Sequence, residues 1–157
     1  MKISNTLVIL AFSVIAAGCG GPGPDADIPE AQPAGATFSD IGDHVVHFSA
    51  LSTDQLPPEI ASAYNIVRSK NRAMLNVSVL RESDSVPVPA TVTVKTVNLT
   101  GQLKNVTMRR IDEQEAIYYI GVTPIANRET LRFEISVTPE GVERASEVVF
   151  SRQFFTD

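Results

Sequence analysis

Residues 37–157 are predicted to form a mainly β domain: an antiparallel β-sandwich of the immunoglobulin or fibronectin kind, with about seven strands and one short helix. Three observations predict this class. Apolar and polar residues alternate in several segments, as in Thr91-Val92-Thr93-Val94-Lys95, which is typical of strands that bury one face. Glycine, proline and asparagine separate these segments at near-regular spacing. The hydrophobic fraction of 43% and the charged fraction of 20% are those of a globular protein.

The first part of the domain is predicted to contain one or two strands and the helix. The strands are expected over 38–51. The helix is expected from Thr53 to Tyr64, because Thr53 or Asp54 can cap its N-terminus and the two prolines fit only its first turn. Ile60 and Tyr64 would form an i, i+4 pair on one face. A helix this short must be stabilised by packing.

The remaining strands are predicted in order along the chain, with turns between them. In the first of them, every second residue is apolar from Ala73 to Val79. Strands are then expected at 91–95, 103–111, 117–120, 131–137 and 148–154. The prolines at 86–89 indicate a turn or an exposed sheet edge, and further turns are expected at 98–101, 112–115 and 138–141.

The N-terminal segment is predicted to export the chain. Residues 7–15 are an apolar run of the length found in signal peptides, and a transmembrane helix needs about 20 such residues. The following Ala16-Ala17-Gly18-Cys19 resembles the lipobox of bacterial lipoproteins. We therefore interpret residues 1–18 as a lipoprotein signal peptide and Cys19 as the lipidation site, with an ordinary secretory signal or an uncleaved anchor as alternatives.

The lipid would hold the chain at the periplasmic face of the cell envelope. Gly20, and not an aspartate, follows the cysteine. By resemblance to enterobacterial sorting, this favours transfer to the outer membrane over retention at the inner membrane. Residues 19–36 contain the lipidated cysteine and a stretch rich in glycine and proline, which is predicted to be a flexible linker to the domain.

Composition excludes several function classes. The formal net charge is −5, which argues against a protein that binds the nucleic-acid backbone. The chain has no tryptophan and few aromatic residues, which argues against a stacking platform for bases or sugars. Its one cysteine cannot form an intramolecular disulfide, and a lipidated Cys19 leaves no thiol for catalysis or for a zinc cluster.

His44 and His47 are the chain's two histidines and its candidate metal ligands, since imidazole suits copper and zinc. Residues three apart in a strand point to opposite faces, so only a bulge or a turn would bring the two rings together. Packing of one histidine and exposure of the other is the alternative interpretation.

The candidate recognition surface is the densest basic stretch, formed by Arg68, Lys70, Asn71 and Arg72. It follows the predicted helix, so its cations would complement the C-terminal dipole of that helix. Alternatively, they would bind an anionic ligand or a lipid head group.

No motif for catalysis is present. The acidic turn at 112–115 lacks the glycine and the spacing of a calcium-binding loop, and the Asp40, Asp43 and His44 group has no nucleophile motif beside it. We therefore expect a protein that is not an enzyme and has no cofactor.

The stretch His47-Phe48-Ser49-Ala50-Leu51, the proline-bearing helix and then Ile66-Val67-Arg68-Ser69-Lys70-Asn71-Arg72 resemble an uncharacterised proteobacterial family. The family consists of secreted or lipoprotein domains of unknown function, often encoded near homoserine acyltransferase genes. The resemblance covers about residues 38–157. It implies a single small β domain and no site residues.

These observations favour a lipid-anchored periplasmic binding or interaction module. Its expected partners are the membrane, through the N-terminal lipid, and an envelope protein, but not nucleic acid. The alternative is a periplasmic protein that handles copper or zinc through His44 or His47.

Overall fold

The computed structural model describes residues 37–157, which contain nine β-strands, a single 3-10 turn and one short α-helix. The strands are β1 (Phe38–Ile41), β2 (His44–Ser52), β3 (Arg72–Arg81), β4 (Ala90–Asn98), β5 (Leu103–Val106), β6 (Met108–Glu113), β7 (Ala116–Pro124), β8 (Thr130–Pro139) and β9 (Ser146–Gln153). The 3-10 turn is Thr53–Gln55 and the helix, α1, is Pro58–Ala63. The predicted signal peptide, Cys19 and the linker lie outside the described residues.

The strands form two antiparallel sheets. One has five strands in the order β1-β2-β3-β7-β6, and the other has four in the order β5-β4-β8-β9. The predicted mainly β antiparallel sandwich with one short helix is confirmed. The structure has nine strands instead of about seven because 38–51 and 103–111 each contain two.

The core lies between the inner faces of the two sheets. The alternation that predicted β3 places Leu75, Val77 and Val79 in it without any exposed surface. From the other sheet, Phe133 stacks on Phe150 with ring centroids 4.7 Å apart. Each fully buried side chain of this size stabilises the fold by about 1.5–3 kcal/mol.

The segment 103–111 was predicted as one strand, and that prediction is wrong. β5 pairs with β4 in the four-stranded sheet and β6 pairs with β7 in the five-stranded sheet, so the chain changes sheets at Thr107. Gly121 of β7 lies against this crossing. A Cβ at that position would be 2.7 Å from Val106 Cγ1 and 3.0 Å from the Thr107 carbonyl oxygen. The sheet change therefore depends on a residue without a side chain.

The helix begins later than predicted, at Pro58. A proline disfavours the helical conformation in the residue before it, so the two consecutive prolines keep Leu56 and Pro57 extended, with ψ angles of 138° and 139°. Thr53 and Asp54 consequently lie in the separate 3-10 turn and do not cap α1. None of the helices in 37–157 has the length and hydrophobicity that crossing a bilayer requires.

The end of α1 agrees with the predicted boundary at Tyr64. Asn65 has a positive φ of 52°, and its N–H donates to the Ser62 carbonyl while the Ile66 N–H donates to Ala61. This pair of bonds is a Schellman motif, which turns the chain sharply after the helix.

Candidate functional site

The outer face of the four-stranded sheet is polar. Thr91 pairs with Thr138, and Thr93 pairs with Ser136. Glu134, on the same face, lies 2.7 Å from an Arg132 nitrogen. Hydroxyl and ion-pair ladders of this kind are typical of a sheet face in contact with water.

The outer face of the five-stranded sheet is partly apolar and carries α1. Side chains from the helix and its flanking segments form a second apolar cluster with two strand residues, and the cluster comprises Leu56, Ala61, Ile66, Met74 and Ile120. The connection from β2 to β3 therefore crosses this face.

A cleft of about 270 Å³ lies between α1 and this sheet face, and we call it the sheet-face cleft. Four elements each contribute two residues to it, because alternate residues of a strand share a face. They are Ile60 and Tyr64 from α1 and its C-terminal end, Met74 and Asn76 from β3, Ile111 and Glu113 from β6, and Tyr118 and Ile120 from β7.

Polar groups of the cleft lie among its apolar walls. The Tyr64 hydroxyl donates a hydrogen bond to the Glu113 carboxylate. This bond raises the pKa of Tyr64 above 10.0, with further contributions from burial and from the negative charge of Glu113. The Arg109 guanidinium donates to the Tyr64 carbonyl oxygen. Oδ1 of Asn76 is buried and has no hydrogen-bond partner within 37–157.

A second cleft, of about 390 Å³, adjoins the first on the same sheet face, and Tyr118 lines both. His47, Ser78 and Glu115 also line this second cleft. Apolar walls with a few polar groups can accommodate an apolar side chain or ligand that carries one polar end.

The predicted recognition residues lie together in the loop before β3 and at its first position, and all four are exposed. Arg68 donates to the Asp54 carbonyl oxygen at 2.6 Å, and Lys70 donates to the backbone oxygen of Asp157 at 2.7 Å. The Asn71 carbonyl accepts from Ile125 N–H. The guanidinium of Arg72 has no hydrogen bond or ion pair with any other residue of 37–157.

This loop is held by Thr53, whose side chain is fully buried. The Thr53 hydroxyl lies 2.9 Å from the Val67 carbonyl oxygen and accepts from the Ser69 N–H, also at 2.9 Å. Thr53, one of the two residues predicted to cap the helix, therefore fixes this basic loop instead.

The two histidines lie on opposite faces of β2. His44 is buried on the inner face, and its Nδ1 lies 2.7 Å from the Asp43 carboxylate, although the two groups are not aligned for a hydrogen bond. His47 is exposed on the outer face near Phe38, with ring centroids 6.1 Å apart. The structure does not bring the candidate ligands together, and residues 37–157 contain no group of three or more histidine, cysteine, aspartate or glutamate side chains that could hold a metal.

Sequence reasoning did not identify the sheet-face cleft. Met74 and Asn76 did carry a usable signal, because the same alternation that places Leu75 in the core places these two side chains together on the outer face of β3. The residues on the other strands carry no comparable signal, because their proximity depends on strand order and register.

Comparison with known proteins identifies the family. The model of the domain of unknown function DUF4426 matches residues 38–157, as the sequence resemblance predicted. A DUF4426 protein from Pseudomonas aeruginosa is 37% identical, with a TM-score of 0.66, over 76% of this chain and 94% of that one.

More distant structures share the fold alone. FetP from a uropathogenic Escherichia coli strain is 10% identical, with a TM-score of 0.54, over 75% of this chain and 92% of that one. A copper-bound variant of FetP is 9% identical, with a TM-score of 0.55, over 74% and 93%. No curated protein matches this chain significantly. With a family match across nearly the whole domain, the chain belongs to the DUF4426 family.

Proposed function

We propose that this protein is a lipid-anchored, non-enzymatic binding module at the periplasmic face of the cell envelope, and that it contacts an envelope protein through the sheet-face cleft. The observation that carries the proposal is the difference between the two outer faces. One is a ladder of hydroxyls and ion pairs, whereas the other presents tyrosine, methionine and isoleucine side chains around a concavity. Clefts with mostly apolar walls and a few polar groups are typical of binding sites.

The composition of the cleft favours a protein partner. Tyrosine and methionine are enriched in protein–protein interfaces, and tyrosine is frequent among residues that dominate binding energy. The volume of about 270 Å³ is suited to one large apolar side chain. The buried Asn76 amide oxygen, which has no hydrogen-bond partner within 37–157, would accept a hydrogen bond from the group that enters.

Two observations support the location. Cys19 follows small residues and an apolar run, as in bacterial lipoproteins. FetP, whose fold is similar, was expressed in the periplasm for its structure. An outer-membrane position is the finer proposal and depends on Gly20 after the cysteine.

Site-specific photo-cross-linking in intact cells tests the contact surface. A photo-reactive residue replaces either Ile60 in the cleft or Val149 on the outer face of the other sheet. Both side chains are exposed to a similar extent, 40% and 48%. We expect a discrete protein adduct from position 60 and none from position 149. Equal adducts from both positions would contradict the proposal.

A pair of substitutions adds a control for folding. In a chain with a photo-reactive residue in place of Tyr118, Ile60→Asp is expected to reduce the adduct yield at least tenfold, because it places a charge in the apolar cleft. Val149→Asp makes the same chemical change on the opposite sheet and is expected to leave the yield unchanged. Equal loss in both variants would indicate a general defect and not a contact.

Metal handling through His44 or His47 is the alternative. Because the two histidines occupy opposite faces of β2, they cannot bind one ion together, and either of them would need further ligands from outside 37–157 or from another molecule. It predicts copper or zinc in protein purified from the periplasm without chelator, and loss of that metal on changing both histidines to alanine. Equal metal content in the two proteins, measured by native mass spectrometry, rules the alternative out.

A further inference from the structure

The two ends of the sandwich carry opposite charge. Strand order places the segments 40–43, 82–84, 112–115 and 140–147 at one end, with ten carboxylates and few cations. The other end is formed by the loop before β3, the β4–β5 turn, the β7–β8 loop and the C-terminus. We call this second one the basic end.

Four cations of the basic end are exposed and have no carboxylate partner within the described residues. They are Arg68, Arg72, Arg128 and Arg152. Other charges there are already paired. Lys104 lies 3.7 Å from the Glu129 carboxylate, and Lys70 donates to the backbone oxygen of Asp157. Asp54, Glu59 and the side-chain carboxylate of Asp157, which accepts a hydrogen bond from Asn127, reduce the positive charge of this end but do not cancel it.

The same end carries the three most exposed large apolar side chains of residues 37–157. Leu99 is 85% exposed in the β4–β5 turn, Val67 is 65% exposed in the loop before β3, and Phe155 is 59% exposed at the C-terminus. The adjacent Phe154 is buried against Phe133, so the exposure of Phe155 is not required by core packing. Apolar loop tips among cations are the composition of a surface that binds the interface of an anionic bilayer.

From these features we propose that the basic end contacts the anionic lipid surface of the membrane, with Leu99, Val67 and Phe155 entering the head-group region. β3 has ten residues, so the two ends are about 33 Å apart at a strand rise of about 3.3 Å per residue. The screening length at physiological salt is about 8 Å. The acidic end is therefore too distant to cancel the attraction and would face away from the membrane.

The test uses the mature chain with Cys19→Ser, so that a lipid does not dominate binding, and vesicles of phosphatidylglycerol or phosphatidylcholine. We expect binding to phosphatidylglycerol that weakens with salt. A basic residue near such a surface contributes about fivefold in affinity. Loss of three such residues weakens binding about 100-fold, so reversing Arg72, Arg128 and Arg152 to glutamate is expected to weaken it by at least that factor. The matched control reverses Arg81, Arg110 and Arg144 near the acidic end, with the same change in net charge and no loss of binding.

Insertion is tested independently, because the chain has no tryptophan. Leu99→Trp is expected to show a blue-shifted emission on phosphatidylglycerol vesicles, and Val142→Trp near the acidic end is expected to show no shift. Equal binding to both lipids, equal loss in both triple variants, or an unshifted Leu99→Trp would overturn the proposal. None of these outcomes depends on the sheet-face cleft, so failure here is distinguishable from failure of the proposed function.

Discussion

Replacing Gly121 with alanine should destabilise the domain by about 2 kcal/mol. The new Cβ would lie 2.5 Å from Met108 Sδ, 2.7 Å from Val106 Cγ1 and 3.0 Å from the Thr107 carbonyl oxygen. The methionine side chain can move, but Val106 is buried and β-branched, and Thr107 contributes backbone. Because neither of these two contacts relaxes easily, the overpacking cost is taken at the upper end of the usual range, about 3 kcal/mol. The alanine recovers about 0.5–1 kcal/mol of the chain entropy that glycine loses, which leaves a net loss of about 2 kcal/mol.

Thermal unfolding followed by circular dichroism measures this effect. For a domain of this size, about 2 kcal/mol corresponds to a Tm lowered by roughly 8 °C. The control is Val122→Ala at the next, outward-facing position, where a change within about 0.5 kcal/mol is expected. Val106→Ala should cost less in the Gly121→Ala background than alone, since it removes one of the close contacts. An unchanged Tm for Gly121→Ala, or strictly additive effects, would refute the close-approach argument.

Two further predictions concern the segment between β2 and β3. Thr53→Val keeps the side-chain shape but leaves the Ser69 N–H and the Val67 carbonyl without their partner, so a loss of about 2 kcal/mol in denaturant unfolding is expected, whereas Thr53→Ser should retain most of the stability. The pKa of Tyr64 is raised in the folded state, so the stabilisation linked to it is present below pH 10 and is lost as pH rises through the folded pKa. Glu113→Ala should therefore lower the pKa of Tyr64 measured by ultraviolet titration. Tyr64→Phe should remove the contribution of this tyrosine from the titration curve.

Predictions from the sequence succeeded where the determinant is local. The alternation from Ala73 to Val79 placed four side chains on one face of β3, and all four are buried. The same period of two predicted that His44 and His47 would point to opposite sides of β2, as they do. A strand's two faces are set by its own backbone, so no distant contact is needed to assign them.

The prediction failed at 103–111 because the determinant is distant in sequence. The sheet change at Thr107 requires the backbone to pass close to Gly121, and nothing within 103–111 indicates that approach. The late start of the helix is a different kind of error. Two consecutive prolines exclude helical geometry from Leu56 and Pro57 by a local steric rule, so this boundary was predictable from the sequence.

Apart from Met74 and Asn76, the residues of the sheet-face cleft could not be predicted from the sequence, for the same reason as the sheet change. Asn76 is opposite Ile120 in the register of β3 and β7, and Ile111 is opposite Tyr118 in that of β6 and β7. These pairs become neighbours only once strand order and register are known. The basic loop, in contrast, is contiguous in sequence and was identified directly, although the role of Thr53 in fixing it was not.

The connection between β2 and β3 contributes to both proposed contact surfaces, the sheet-face cleft and the basic end. These strands are antiparallel neighbours, which a turn of two residues can join, yet residues 53–71 separate them. Long connections that the fold does not require are often functional. This connection supplies Ile60 and Tyr64 to the cleft and Arg68 to the basic end. Thr53, at its start, hydrogen-bonds to Ser69 near its end and so holds the two ends of the connection together. A partner seated in the cleft would therefore contact the same segment that meets the membrane, so the two proposed contacts share one structural support.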